Sequence, residues 1–272
     1  MNQKFYKYHG AGNDFVLMDA REKPLKLTKE QIARICNRRF AIGADGFMAL
    51  ENDPAGTEFY MRYHNADGGE VAMCGNGGRC IALFAHHLGI GGTLKTFNSL
   101  DGLHTAEMID VEGDAGCVRL QMIDVEGYEN QGKYIFLNTG VPHYVEFTDD
   151  VDAVDVFTRG RQIRYSEPFV SQGGTNVNFT QVMPDGSLRV RTYERGVENE
   201  TYACGTGATA AAMAAAIVYF PDRNDFKVKV LGGDLRVEFE RPAGSVFNRV
   251  YLEGPAAKVF ECKLNLEEIF SE

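Results

Sequence analysis

Tyr63-His-Asn-Ala-Asp-Gly-Gly-Glu70-Val-Ala-Met-Cys74-Gly-Asn-Gly77 and Tyr193-Glu-Arg-Gly-Val-Glu-Asn-Glu200-Thr-Tyr-Ala-Cys204-Gly-Thr-Gly207 are two copies of one pattern, and they decide the fold. Tyr63, Glu70, Cys74, Gly75 and Gly77 recur 130 positions further on as Tyr193, Glu200, Cys204, Gly205 and Gly207, with no gap. Each copy reads strand, polar loop, Cys-Gly-x-Gly, apolar helix. A period near half the chain length is the mark of an internal duplication. We therefore expect two similar halves with a boundary near Met122. Residues 1–122 form the half that carries Cys74, and 123–256 the half that carries Cys204. The C-terminal stretch 257–272 is expected to join the first half.

Outward from the repeat, strand signals dominate. Lys4–Tyr8, Phe15–Met18, Glu58–Tyr63, Val118–Met122, Tyr134–Leu137, Tyr144–Phe147, Asn178–Val182, Leu188–Tyr193, Lys227–Val230, Leu235–Phe239 and Val250–Leu252 are short and rich in β-branched or aromatic residues. Helix signals are fewer. Thr28 is a fitting N-cap for a run that sets Ile32, Ile35 and Phe40 on one side. Gly78–Leu88 and Gly207–Tyr219 read as two more helices, the second so rich in Ala that it is expected to be thin and buried. Many strands and few helices make the class α+β.

Composition removes several functions. The chain has 272 residues, 44% of them hydrophobic, enough for a proper core. Its net charge of −10 leaves no basic face for nucleic acid. No apolar run reaches the roughly 20 residues that a membrane helix needs; the longest candidate is Ala208–Phe220. The N-terminal residues contain no signal-peptide core, and six Cys are too few for a disulfide scaffold. The expectation is a reduced cytoplasmic protein with a small-molecule substrate.

Cys-Gly-x-Gly carries chemistry. A helix N-terminus offers unpaired N–H groups and about half a positive charge, which favours a thiolate over a thiol. The glycines let backbone amides close on an anion such as a carboxylate. Two halves related by approximate symmetry put two such thiols face to face across a cleft. That arrangement suits inversion at carbon: one thiolate removes a proton from one face and the opposite thiol delivers one to the other. Amides and dipoles at the substrate carboxylate then stabilise the carbanion, and no metal or cofactor is expected. Cys36, Cys80, Cys117 and Cys262 lack the glycine context and read as core or surface thiols. His9 reads as structural, and His86 and His87 as partners of a helix C-terminus.

His9-Gly-Ala-Gly-Asn13-Asp-Phe15, Asn65-Ala-Asp-Gly68, Cys74-Gly-Asn-Gly77, Tyr193-Glu-Arg-Gly196 and Ala203-Cys-Gly-Thr-Gly207 together resemble the diaminopimelate epimerase family, in the family's order, from about residue 4 to about 260. The resemblance implies two pseudo-symmetric domains, each a β-barrel-like sheet around a central helix, with the active site in the cleft between them. It implies interconversion of LL- and meso-diaminopimelate in lysine and peptidoglycan precursor synthesis, without pyridoxal phosphate or metal, by a homodimer. Carried over by position, Cys74 is the proton donor and Cys204 the acceptor in the LL-to-meso direction, with roles exchanged in reverse. Asn13, Asn65, Asn176, Glu194 and Arg195 fall on substrate-binding positions, as do Gly75, Asn76, Gly205 and Thr206, whose amides hold a carboxylate. His143 and Glu194 fall on positions that tune the thiols.

Two positions depart from the family pattern. Gly46 stands where many members have Gln, and Val141 where many have Asn before Pro142-His143; both touch distal recognition. Proline and hydroxyproline racemases share the two-thiol logic but recognise a ring with one carboxylate, whereas Arg195 and the asparagines favour an acyclic, doubly polar substrate. Gly205-Thr-Gly207-Ala-Thr-Ala210 fits a dinucleotide fingerprint, but the polar segment Val197–Ala203 replaces the strand that the fingerprint requires. Cys74 and Cys80 have poor zinc spacing, and the chain has no CxxC.

Overall fold

A computed structural model describes residues 2–23, 26–241 and 244–271. The chain divides into two compact units, Met1–Leu120 with Pro255–Glu272, and Gln121–Gly254.

The first unit holds β1 (Asn2–Gly10), β2 (Asn13–Asp19), α1 (Lys29–Ile35), β3 (Gly46–Glu51), β4 (Phe59–Asn65), α2 (Gly75–His87), β5 (Leu94–Ser99), β6 (Gly102–Glu112) and β7 (Ala115–Gln121). Neighbours pair in that order, antiparallel except β2–β3 and β4–β5. The end of β17 (Val246–Asn265) pairs with β1, and β17 also pairs with β7, so the ring closes with no free edge. Inside it runs α2, whose residues Gly75 to Ala85 are all buried. In β4, the alternation of buried Phe59, Met61 and Tyr63 with half-buried neighbours turns one face to this helix. α1 and the short α5 (Leu266–Phe270) pack against a cluster around Phe5, Ile32, Ile35, Phe47 and Leu266.

The second unit repeats the scheme. It holds β8 (Val125–Glu126), β9 (Tyr128–Asn130), β10 (Ile135–Asn138), β11 (Pro142–Phe147), α3 (Val156–Arg164), β12 (Asn176–Val182), β13 (Leu188–Glu194), β14 (Asn199–Thr201), α4 (Gly205–Val218), β15 (Asp225–Val230) and β16 (Gly233–Glu240). The ring runs β9, β10, β11, β12, β13, β15, β16, the first part of β17, and β8. Its parallel pairs, β11–β12 and β13–β15, match those of the first ring. The central helix is α4, where Ala208, Ala210, Ala211, Ala212, Ala214, Ala215 and Ala216 are fully buried. Ala combines the best helix propensity with the smallest side chain that still excludes water, so the sheet closes tightly on a thin rod. α3 packs outside, against Tyr144, Val177, Phe179 and Tyr193.

The fold is thus α+β, two barrel-like sheets each wrapped on one helix. Some elements differ from the sequence reading. α1 stops at Ile35, and Phe40 is 62% exposed beneath the Arg34 guanidinium. The reason is local: Asn37 Oδ1 accepts from the amides of Arg39 and Phe40, which turns the chain out of the helix. The central helices begin at Gly75 and Gly205, each directly after its Cys. β3, β5, β6, α3 and the short β8, β9, β14 and α5 escaped the sequence reading. In β3, five consecutive residues are buried, so the run lacks the alternation that reveals a half-exposed strand.

Candidate active site

In the first unit Cys74 is the N-cap of α2, extended in backbone, and its Sγ accepts from the Gly77 amide at 3.2 Å. Asn76, in the first turn, donates through Nδ2 to Asn13 Oδ1 at 3.2 Å. Asn13 in turn donates to Asp45 Oδ2 at 2.7 Å. Asp45 also accepts from Arg38, which grips Asp14 through both oxygens. Burial raises the Asp14 pKa, but hydrogen bonds from Arg38 and Lys7 outweigh it and hold the carboxyl well below the usual range. Cys74, Asn76 and Asn13 are therefore drawn together by a charged bracket on β2 and the loop before β3. Asn65 lies apart from these bonds, exposed at the end of β4, where its carbonyl accepts from the Gly68 amide. Gly46 pairs with Asn65 across β3–β4, and a Cβ there would come within 2.7 Å of the Tyr63 ring and 2.9 Å of His64 O. A side chain at Gly46 would thus require both the Tyr63 ring and the His64 carbonyl to shift.

In the second unit Cys204 is the N-cap of α4, 6% exposed, with Sγ 3.5 Å from Thr206 Oγ1. The Thr206 carbonyl accepts from Thr139 Oγ1 at 2.9 Å. Asn176 opens β12 and accepts the Arg195 amide on Oδ1 at 2.6 Å, while the Arg195 side chain donates to Gly174 O. Glu194 accepts from Thr201 Oγ1 at 2.9 Å. His143 stands opposite Asn176 in the β11–β12 register and is fully buried. Its pKa is pulled down to about 3, first by burial and then by the charge of Arg195. The imidazole is therefore neutral at physiological pH, with Nδ1 facing Asn178 Nδ2 at 3.1 Å and Nε2 buried without a hydrogen-bond partner.

Two residues of this second constellation carry more than the sequence reading gave them. Asn178 donates to Tyr144 O and accepts from Thr192 Oγ1. A Cβ on Gly207 would lie 2.4 Å from Asn178 Oδ1 and 3.2 Å from Cys204 Sγ, so Asn178 ties His143 to the turn that bears Cys204. Glu198 sits in the loop between Glu194 and Thr201 with φ of 58° and is held there by Arg164, Tyr165, Tyr193 and the Gly196 amide. In the first unit Asp45 was likewise overlooked, because its bond to Asn13 spans 32 residues, and so was Arg79, whose bonds to Gly75 and Asn76 are local but whose meaning depends on its burial. A surface hollow lined by Lys26, Leu27, Gln31, Leu266, Glu267, Phe270 and Ser271 contains none of these residues.

Among the described residues no group of three or more His, Cys, Asp or Glu is arranged to hold a metal ion. No helix among them is long and apolar enough to cross a membrane.

A phenazine biosynthesis protein of the PhzF family from Bacillus anthracis shares the fold, with a TM-score of 0.77 over 97% of this chain and 99% of that one at 13% identity. A hydroxyproline epimerase from Agrobacterium vitis shares it with a TM-score of 0.69, over 97% and 92% of the two chains at 15% identity. These likenesses define the class of fold, a duplicated barrel-and-helix in which Cys-Gly-x-Gly opens both helices here. Sequence comparison gives the family. The family model for diaminopimelate epimerase matches residues 5–132 and 135–259. A diaminopimelate epimerase from Flavobacterium psychrophilum is 44% identical over 259 residues, 95% of this chain and 98% of the relative. One from Aquifex aeolicus is 38% identical over 284 residues, 97% and 98% of the two chains. The chain belongs to the diaminopimelate epimerase family.

Proposed function

We propose that the chain interconverts LL- and meso-diaminopimelate by moving one proton between Cα and a pair of thiols, Cys74 and Cys204. The observation that carries the reading is that, in a chain of this family, both cysteines occupy the same place in a duplicated fold, the N-cap of the buried central helix. There the unpaired amides and the positive helix end lower the free energy of a thiolate.

In the LL-to-meso direction the Cys204 thiolate takes the Cα proton and the Cys74 thiol supplies a proton to the opposite face. The reverse direction exchanges the two. No proton is gained or lost overall, so each turnover leaves the thiols in exchanged states. The amides of Gly75, Asn76, Gly205 and Thr206 hold carboxylate, where their preorganised dipoles stabilise the carbanion. Arg195 supplies counter-charge that an acidic protein needs to bind a dicarboxylate. Asn13, Asn65, Asn176 and Glu194 hold the remaining polar groups. A neutral His143 tunes its thiol not as a cation but through Asn178, which its Nδ1 faces and which lies against the turn that bears Cys204, and Glu194 is the second tuning residue. With Gly46 and Val141 in place, distal recognition rests on backbone and on the asparagines. Lysine and peptidoglycan precursor synthesis, a cytoplasmic location and a homodimeric state complete the reading.

The test is solvent-isotope incorporation. In D2O, the protein is expected to place deuterium at Cα of LL- and meso-diaminopimelate and to leave proline unlabelled. Cys74→Ala and Cys204→Ala are each expected to abolish epimerisation. Near-normal turnover in either variant, measured by chiral chromatography, overturns the two-base reading, and labelling of proline instead favours an imino-acid racemase.

A further inference from the structure

Arg79 has the largest of the fully buried side chains, at 0% exposure. Its Nη1 donates to Gly75 O at 3.1 Å, its Nη2 to Asn76 Oδ1 at 2.9 Å and its Nε to Pro255 O at 3.4 Å. All three acceptors are neutral, and no carboxylate pairs with the guanidinium among the described residues. The side chain leans back toward the helix start, as long helical side chains do, and reaches the two residues that follow Cys74. A cation in that place is disfavoured twice. Burial strips its hydration, and the positive end of the helix dipole repels it. A nearby anion would offset both costs, and the sulfur of Cys74 accepts the Gly77 amide at the same helix end.

The surrounding charges do not supply that anion. Lys7 on β1 pairs with Asp14 on β2, Glu51 on β3 pairs with Arg62, and Asp101 pairs with His104 on β6. Cys80, next to Arg79, is pushed far up by burial and stays a thiol. Three thiols, Cys80 first, then Cys74 and Cys117, favour the charged guanidinium against its burial, and of these Cys74 stands at the helix end whose first residues Arg79 holds.

The other unit has no cation at the equivalent position, and the Arg195 side chain of its constellation is held on Gly174 O instead. One repeat period beyond Arg79 stands Thr209, fully buried, whose Oγ1 donates to Gly205 O at 3.0 Å. Thr209 therefore reaches the counterpart of the Gly75 carbonyl with a neutral hydroxyl where Arg79 uses a charged group.

We propose that Arg79 is a positioning residue that keeps Cys74, and not Cys204, as the thiolate of the resting protein. The inference rests on Cys74 and Cys204 being the reacting pair, and it adds an asymmetry that the duplication conceals. The resting form is then the one ready for the meso-to-LL direction.

Alkylation reads this without turnover. The protein is treated with iodoacetamide across a pH series, and the alkylated Cys74 and Cys204 peptides are quantified separately by mass spectrometry. In the unaltered protein the Cys74 midpoint is expected about one unit or more below that of Cys204, the scale set by a close opposite charge. Arg79→Met, which keeps bulk and removes charge, is expected to raise the Cys74 midpoint by ~1–3 units while that of Cys204 stays in place. Arg79→Lys is expected to retain most of the depression. A merely structural role would lower stability without moving one midpoint selectively. An equal or lower midpoint for Cys204 in the unaltered protein overturns the proposal, whatever the variants do. So does an unchanged Cys74 midpoint in folded Arg79→Met. Failure of the two-thiol reading shows elsewhere, as turnover in Cys74→Ala.

Discussion

Gly77 and Gly207 hold the same place in the two Cys-Gly-x-Gly turns, yet their surroundings differ. At Gly77 an added Cβ would meet Cys74 Sγ at 3.2 Å and the thioether ends of Met48 and Met61 at 3.4 Å, all of them ends of movable side chains. At Gly207 it would meet Asn178 Oδ1 at 2.4 Å. Asn178 cannot yield, because Tyr144 O, Thr192 Oγ1 and His143 Nδ1 all hold its amide. Ala in place of Gly within a helix gains up to ~1 kcal/mol, whereas forcing atoms into a packed site costs ~1–3 kcal/mol. Gly77→Ala is therefore expected to be close to neutral in urea unfolding, and Gly207→Ala destabilising by ~1–2 kcal/mol. A Gly207→Ala protein as stable as the unaltered one would mean that Asn178 is not fixed. The cysteines and their glycines were legible in the sequence because the motif is contiguous and occurs twice. Asn178 was not, since its partners lie 14 and 35 residues away and its counterpart in the other unit is Met48. Arg79 carried a readable signal, a charged residue facing Thr209 across the repeat, but its meaning depends on burial.

The turns that lead into the two cysteines solve one backbone problem in two ways. Gly68 and Glu198 are equivalent under the repeat, and both are left-handed, with φ of 82° and 58°. Gly68 has no alternative, because a Cβ would lie 2.0 Å from Lys29 O. Glu198 accepts the strain of a non-glycine residue there, which its hydrogen bonds offset. The Arg164 guanidinium is the first cause that draws its pKa from 4.5 down to about 2, with the Gly196 amide and the hydroxyls of Tyr165 and Tyr193 adding to it. A depressed carboxyl stabilises the fold fully above its unfolded pKa and loses that contribution as pH falls through the folded one. Glu198→Gln is thus expected to lower stability at neutral pH. The gap to the unaltered protein should narrow between pH 4.5 and 2, as read by urea unfolding along a pH series. A gap that stays constant over that window would show that the ionised carboxylate is not what holds the turn. The same contrast explains why elements were read unevenly. Strands that alternate, such as β4 and β16, announce themselves, whereas β3 is buried on both faces and reads only as an apolar run.

At the scale of the molecule the duplication was the most legible feature, because a period in sequence becomes a period in pairing order: antiparallel strands interrupted by two parallel pairs, once in each unit. The sequence reading assigned the stretch 257–272 to the first half, but the pairings that close each ring were not legible, since they depend on which strand returns to which edge. The two rings close differently, and that has a consequence for folding. The Gln121–Gly254 unit contains every strand segment of its own ring, with Leu252 and Glu253 of β17 against β16 and Val246 and Phe247 against β8. The other unit depends on Pro255–Glu272, where the stretch from Ala257 to Asn265 pairs with β1 and where Cys262, Leu264 and Leu266 join the cluster under α1. Without that segment, β1 loses one whole partner, and an apolar patch is left beside an unpaired edge, the condition for aggregation. A fragment of residues 121–254 is therefore expected to unfold cooperatively in urea, whereas 1–120 alone is not. Joining 255–272 to the N-terminus of 1–120 through a short Gly/Ser linker should restore the transition, because residue 265 pairs beside residue 2. A cooperative transition of equal midpoint in 1–120 alone would show that the first barrel does not need the strand that closes it.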